Sequence, residues 1–271
     1  MNGLFLCCCL LAVVGAEAEN PTAKTTFGTL IGRTDPETGV VSFKGIPYAQ
    51  PPVGELRWRP PVAFGGWNGT LDATRFGAPC VQPTDGGWST IENLDAMSED
   101  CLFLNVVAPR AALGGGGAAL PVLVYLHAGE FHYGAASDAE SDWPHFAPDV
   151  VYVSPNSRLG PLGFLASEDL RGRSRDGSTG SYGMLDQREA LAWVQRHIRA
   201  FGGDASRVTL MGESSGGTSV LFHLVSRPSW PLFHRVVLES AGYTQVDAPP
   251  YTNLSLLTNL ILKSNREPPM S

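Results

Sequence analysis

The architecture of this chain can be read from one segment, Arg207-Val208-Thr209-Leu210-Met211-Gly212-Glu213-Ser214-Ser215-Gly216-Gly217-Thr218. Its first residues form an apolar run typical of a buried strand, and residues 219–225 continue with helical spacing. The pattern Gly-x-Ser-x-Gly lies at the junction and comprises Gly212, Glu213, Ser214, Ser215 and Gly216. The segment therefore predicts a strand, a sharp turn that carries Ser214, and a helix.

Such a turn suits a serine nucleophile. A serine hydroxyl reacts poorly unless it is held clear of the backbone and beside a base. Strand and helix approach closely at the turn, so the residues two positions to either side must be small, as Gly212 and Gly216 are. The free N–H of Ser215 at the helix N-terminus could stabilise an oxyanion. The alternative is a glycine-rich turn with incidental serines, but the flanking strand and helix favour the nucleophile.

Composition limits the classes of protein to consider. The chain has 271 residues, 43% of them hydrophobic, with a net charge of −7 and a pI near 5.3. This balance is globular and argues against a nucleic-acid partner. Residues 1–18 combine a short apolar run with small residues at its end, which predicts a secretory signal peptide and a secreted protein. Residues 19–271 then form one segment, in which no stretch reaches membrane-spanning length.

Removal of the signal peptide leaves two of the five cysteines, Cys80 and Cys101. The oxidising compartment of a secreted protein favours a disulfide between them. Asn68-Gly69-Thr70 and Asn253-Leu254-Ser255 are acceptor sequences for N-glycosylation, so Asn68 and Asn253 are predicted to carry glycans.

Strand and helix patterns alternate along the rest of the chain. A hairpin is predicted over 28–32 and 40–43, an extended proline-rich segment over 44–61, and a solvated arginine-rich loop over 171–180. A helix is predicted over 184–201, because apolar residues recur there at helical spacing, and it stops at Gly202. Nearly continuous apolar runs predict further strands at 102–107, 121–127, 150–153 and 234–239. This alternation predicts a mainly parallel sheet covered on both faces.

Several motifs, in this order, resemble those of the type-B carboxylesterase and cholinesterase family of α/β-hydrolases. They are FKGIPYA at 43–49, PPVG at 51–54, SEDCLFLN at 98–105, GMLDQ at 183–187, FGGD at 201–204 and GESSGG at 212–217. The resemblance implies an α/β-hydrolase fold: a mixed, mostly parallel sheet with helices on both faces, incomplete on its C-terminal side. It also implies a carboxylic ester hydrolase in which Ser214 forms an acyl-enzyme with a small-molecule ester, without metal or cofactor.

The resemblance assigns further residues. It implies that Cys80 and Cys101 close the family's first disulfide loop and that Arg57 and Glu99 form a buried ion pair. The family's oxyanion loop reads His-Gly-Gly-Gly-Phe, whereas here it is His127-Ala128-Gly129-Glu130-Phe131. By this match the backbone N–H groups of Gly129, Glu130 and Ser215 form the oxyanion hole. Glu130 departs from the family by bringing a carboxylate, and a Cβ atom, to a glycine position.

The triad partners of the family, an acid and then a histidine, lie far downstream of the nucleophile. This sequence ends at Ser271, and none of its six histidines lies where the family keeps its base. We therefore expect a partial sequence of a longer esterase, inactive by itself. Two alternatives stay open: a non-catalytic cholinesterase-like domain for adhesion or ligand binding, which Glu130 favours, and a genuine short product.

Overall fold

The computed structural model describes residues 20–84, 91, 94–114, 117–138, 149–174 and 177–242. The predicted signal peptide at 1–18 and the acceptor Asn253 lie outside the described residues. No helix within the described ranges has the length and apolar character needed to cross a membrane.

Ten strands and four α-helices are formed by the described residues. The strands are β1 Thr22–Thr25, β2 Gly28–Ile31, β3 Arg33–Thr34, β4 Val40–Pro47, β5 Thr70–Asp72, β6 Phe103–Pro109, β7 Leu120–Leu126, β8 Val151–Pro155, β9 Gly203–Glu213 and β10 Arg235–Glu239. The helices are α1 Gly160–Phe164, α2 Glu168–Arg173, α3 Tyr182–His197 and α4 Ser215–Val225. Short 3-10 helices cover Gly54–Leu56, Leu94–Ala96, Arg110–Ala112, Ile198–Phe201 and Arg227–Leu232.

The larger sheet has the strand order β10-β9-β7-β8-β6-β4-β3. The strands β10, β9, β7 and β8 pair in parallel, whereas β6, β4 and β3 extend the sheet by antiparallel pairing. The predicted mixed α/β sheet is therefore confirmed, and its parallel half contains β9, which leads into Ser214. Because parallel strands end at the same edge, β7 and β9 deliver the oxyanion loop and the nucleophile to one place.

The core explains why these segments form strands. Every residue of β8 is buried, as expected for an apolar strand in the middle of a sheet. Alternate side chains of β9 point to opposite faces: Leu210 joins the main core beneath α3 and α4, and Met211 packs with Tyr125 and Tyr152 on the other face. The register of the strands at the site is thus fixed by burial on both faces.

The predicted helix over 184–201 is present as α3 followed by a 3-10 turn. Leu191, Val194 and Ile198 are fully buried and form its apolar stripe. The chain then reverses at Gly202, whose φ of 80° lies in the left-handed region, as predicted for a glycine stop.

Two local predictions were wrong. Residues 28–31 do not pair with 40–43; β2 pairs with β1 and β5 in a separate three-stranded sheet, and only β3 pairs with β4. The chain changes sheets at Gly32, where a side chain would lie 2.6 Å from the carbonyl oxygen of Ser42. The first residues of the predicted arginine-rich loop, 171–173, belong to the end of helix α2. The helix begins after Ser167, whose hydroxyl caps it by accepting a hydrogen bond from Leu170 N–H.

Candidate active site

Ser214 occupies the turn between β9 and α4, with φ 53° and ψ −119°. Such a conformation is strained for a residue with a side chain and persists only where the surroundings enforce it. The Ser214 N–H donates to the carbonyl of Glu239 at the end of β10 (2.9 Å), and the Ser214 carbonyl accepts from Thr218 N–H (2.9 Å). Within the described residues the Ser214 hydroxyl has no hydrogen-bond partner, so it is available to a base or a substrate.

The two glycines of the turn are required by close packing. A Cβ atom on Gly212 would overlap the backbone of Gly216, and one on Gly216 would overlap the carbonyl oxygen of Leu126 at the end of β7. Strand β9, helix α4 and strand β7 therefore meet with no room for a side chain between them. The pattern Gly-x-Ser-x-Gly predicted this close packing, because only glycine fits at its first and last positions.

The predicted oxyanion loop leaves β7 beside this turn. Leu126 and Gly212 are register partners, and residues 127–131 follow directly. The N–H groups of Gly129, Glu130 and Ser215 donate to no protein acceptor in the described part of the chain. Three unpaired donors on segments that meet at Gly216 are what an oxyanion hole needs, although their role stays a prediction.

A tight turn and one distant side chain hold the loop. The Gly129 carbonyl accepts from the N–H groups of His132 (2.9 Å) and Tyr133 (2.8 Å). Further along, Gln82 pairs with both backbone groups of Gly134, at 2.9 and 3.0 Å. No local pattern pointed to Gln82, because its side-chain amide binds backbone groups 52 residues away.

Glu130 adopts the backbone conformation that the family's glycine would suggest. Its φ is 55°, between Gly129 at 113° and Phe131 at 62°. Its side chain is exposed, so the carboxylate is directed to solvent rather than packed into the turn. The cost of Glu130 is therefore chiefly one of backbone strain, together with a negative charge near the free N–H groups.

Replacement of Glu130 by glycine tests this strain. We expect Glu130→Gly to raise the free energy of unfolding by about 1 kcal/mol, since glycine removes the left-handed penalty of a Cβ atom. Urea denaturation of the 271-residue chain measures it. Glu130→Ala is the matched control: it removes the charge but keeps the Cβ atom, and no gain is expected. An equal gain from both variants would assign the effect to charge instead.

None of the described histidines hydrogen-bonds to Ser214. His223 is buried in α4, where Nδ1 contacts the hydroxyl of Ser229 (2.9 Å) and Nε2 contacts the side-chain oxygen of Gln187 (3.2 Å). Burial, with the charge of Arg188, lowers the pKa of His223 to about 4. His223 is thus a neutral packing residue rather than the base of a triad.

The other predicted pairs are close in space. Cys80 and Cys101 are joined by a disulfide and are both buried. Arg57 binds Glu99 through two hydrogen bonds of 2.5 Å. The expected burial of this pair was wrong: the side chains are 38% and 26% exposed, because the proline-rich segment that carries Arg57 lies on the surface. Asn68 is exposed, as a glycan acceptor must be.

A second ion pair, which the sequence analysis missed, is fully buried. Arg158 donates to both oxygens of Asp186 (2.8 and 2.7 Å), and its backbone N–H donates to the same carboxylate (3.0 Å). Desolvation opposes the charge of the guanidinium, but Asp186 outweighs it and raises the pKa of Arg158. Asp186 lies in the GMLDQ motif, and this motif was the one feature of the sequence that pointed to the ion pair. The pair joins α3 to the segment after β8.

The chain is similar to known proteins in sequence and in fold. The model of the carboxylesterase family matches residues 19–259. The chain is 43% identical to the acylcarnitine hydrolase of Mus musculus over 79% of its length, and 41% identical to the para-nitrobenzyl esterase of Bacillus subtilis over 80%. It spans 38% and 43% of the lengths of these two relatives. A solved structure of PNB esterase superposes with a TM-score of 0.77 at 35% identity, over 90% of this chain and 48% of that one.

Proposed function

The chain belongs to the carboxylesterase family, and we propose that Ser214 is the nucleophile of a secreted carboxylic ester hydrolase. The observation that carries the proposal is the strained backbone of Ser214, whose hydroxyl has no partner among the described residues, beside three backbone N–H groups that have no acceptor there. Strain of this kind is retained where a side chain must be presented for chemistry.

The proposed reaction has two steps. Ser214 Oγ attacks the ester carbonyl carbon and gives up its proton to a base, and the N–H groups of Gly129, Glu130 and Ser215 stabilise the oxyanion. The C–O bond to the alcohol then breaks, the alcohol takes the proton, and an acyl-enzyme remains. In the second step, water attacks the acyl carbon and gives a proton to the base, the carboxylic acid is released, and the proton returns to Ser214 Oγ. In this proposal the base and its orienting acid lie outside the described residues, within which Ser214 has no histidine partner.

The substrate class follows from the same site. The relatives are named for acylcarnitine hydrolysis and para-nitrobenzyl ester cleavage, which are both reactions of small carboxylic esters. We assign this substrate class to the site of Ser214, with no metal or cofactor. Secretion is supported by the signal-like residues 1–18, by the Cys80–Cys101 disulfide, and by the exposed acceptor Asn68.

Covalent labelling tests the proposal. The protein expressed from its complete transcript is treated with a fluorophosphonate probe, and the adduct is located by peptide mass spectrometry. We expect one adduct at Ser214, lost in Ser214→Ala and kept in Ser215→Ala, which leaves the backbone N–H in place. A folded protein that forms no adduct would overturn the esterase assignment.

A binding domain without catalysis is the second candidate, and Glu130 is the observation that favours it. Although the side chain of Glu130 faces solvent, its negative charge belongs to a residue that supplies one of the N–H donors, and it opposes the developing oxyanion electrostatically. Under this alternative, the probe labels neither the protein nor its Glu130→Gly variant. Labelling that appears only in Glu130→Gly would instead show a nucleophile that Glu130 restrains.

A further inference from the structure

A groove of about 520 Å³ lies between the proline-rich segment and the α2–α3 region. Its volume is in the range of small-molecule sites. It shares no lining residue with the Ser214 turn or the oxyanion loop. Any ligand of this groove therefore binds apart from the proposed ester-hydrolysis site.

The groove combines an apolar surface with two cations. Its apolar lining includes Leu56, Trp58 and Leu170, and its charged lining consists of Arg59 and Arg173. Three residues with hydroxyl groups, Ser174, Ser178 and Tyr182, also line the groove. No carboxylate occurs among the described residues that line it. This chemistry suits a ligand with one negative end and one apolar end.

The two arginines keep their charge available. Arg59 donates from Nε to the carbonyl of Glu55 (3.2 Å) and from its terminal nitrogen to the carbonyl of Arg173 (2.7 Å). Both acceptors are uncharged backbone oxygens, so they orient the guanidinium without neutralising it. The Arg173 guanidinium has no hydrogen-bond or ion-pair partner in the described part of the chain. Unneutralised arginines on neighbouring walls attract a carboxylate, which matches their planar donor geometry.

The wall that carries Trp58 is held rigidly. Arg57 is clamped by Glu99, the Trp58 indole N–H donates to the carbonyl of Pro161 (3.0 Å), and the carbonyl of Arg59 accepts from the buried Arg158 guanidinium (2.9 Å). Trp58 itself has a φ of 54°, a strained value for a bulky residue. An enforced conformation of this kind preorganises an aromatic surface and lowers the ordering cost of binding.

We propose that this groove binds the carboxylate of an amphipathic organic acid. The carboxylate lies between Arg59 and Arg173, and the apolar body packs on Trp58 and Leu170. The proposal concerns binding alone and does not rest on catalysis by Ser214.

Calorimetric titration of the purified protein, expressed from its complete transcript, tests it with three probes: octanoate, octanol and inorganic phosphate. We expect octanoate to bind at least tenfold more tightly than octanol, which has the same tail without the charge, and tenfold more tightly than phosphate, which has no tail. Added salt weakens octanoate binding, since the arginines are solvent-accessible. Equal binding of octanoate and octanol would overturn the role of the arginines, and equal binding of octanoate and phosphate would overturn that of the apolar wall.

Variants locate the site. Arg173→Gln is expected to weaken octanoate binding about tenfold, and Arg199→Gln, an exposed arginine outside the groove, is the charge-matched control. Arg173 is exposed and has no side-chain partner among the described residues, so its variant should keep the circular dichroism spectrum and the urea midpoint of the parent. Octanoate binding that survives Arg173→Gln, or that falls equally in Arg199→Gln, would place the ligand elsewhere and overturn the proposal. Fluorophosphonate labelling of Ser214 is independent of each of these results.

Discussion

Asp186→Asn is expected to lower the free energy of unfolding of the chain by about 3 to 5 kcal/mol, because it leaves the Arg158 charge buried without a counter-ion. The two side chains are 4% and 0% exposed, so water cannot replace the lost carboxylate. One guanidinium nitrogen of Arg158 already lacks a hydrogen-bond partner among the residues that the structure describes. Asparagine keeps the size of aspartate, which confines the change to charge and hydrogen bonding. Urea denaturation followed by circular dichroism measures the loss.

Glu99→Gln is the matched control, since it makes the same chemical change in an ion pair that water reaches. Exposed pairs typically contribute less than about 1 kcal/mol, so a small loss is expected. Arg158→Met in the Asp186→Asn background should recover part of the stability by removing the unpaired charge. Equal losses from Asp186→Asn and Glu99→Gln would contradict the view that burial sets the difference.

The parts of the site that the sequence predicted are those encoded by adjacent residues. The turn that carries Ser214 is such a case, because Gly212, Ser214 and Gly216 each meet a requirement of one strand–turn–helix junction. The stop at Gly202 and the apolar strands follow from equally local patterns. Motif order then identified the α/β-hydrolase fold, which the solved structure of PNB esterase supports.

The parts that were missed depend on contacts between distant segments. Arg158 and Asp186 are 28 positions apart, and Gln82 and Gly134 are 52 apart. No periodicity links such residues, so neither pair can be found from the sequence pattern alone. The error over 28–32 has a related cause: a short strand pairs with whichever edge the fold brings to it, and here that edge belongs to β1 and β5.

The strained backbone of the site is held in place by contacts with other elements. Ser214, Glu130 and Phe131 all have φ between 53° and 62°, and they lie on the two segments that Gly216 brings into contact. The N–H of Ser214 is tied to β10, and the loop of Glu130 is tied to Gln82 through Gly134. Each strained residue is therefore fixed by a contact from another element, as the persistence of strain requires. The contact common to both segments is the approach of α4 to β7.

Gly216→Ala is expected to lower the free energy of unfolding by about 3 kcal/mol or more, since the new Cβ atom would overlap the backbone oxygen of Leu126. A backbone oxygen of a paired strand cannot turn aside as a flexible side chain can. Gly172→Ala is the matched control: Gly172 lies in α2 with nothing within 4 Å of the added atom, and alanine there should raise stability by up to about 1 kcal/mol.

Gly217→Ala extends the comparison, because its Cβ atom would lie 2.9 Å from the carbonyl oxygen of Glu239, so an intermediate loss is expected. The ranking from Gly172 through Gly217 to Gly216 follows from the space at each glycine and not from helix propensity, which favours alanine at all three. Relief of the overlap at Gly216 must move α4 away from β7, and this motion separates Ser214 from Gly129 and Glu130. Gly216→Ala should therefore also lose fluorophosphonate labelling of the complete protein, whereas Gly172→Ala keeps it. Retained labelling together with unchanged stability in Gly216→Ala would show that the close approach of α4 to β7 does not build the site.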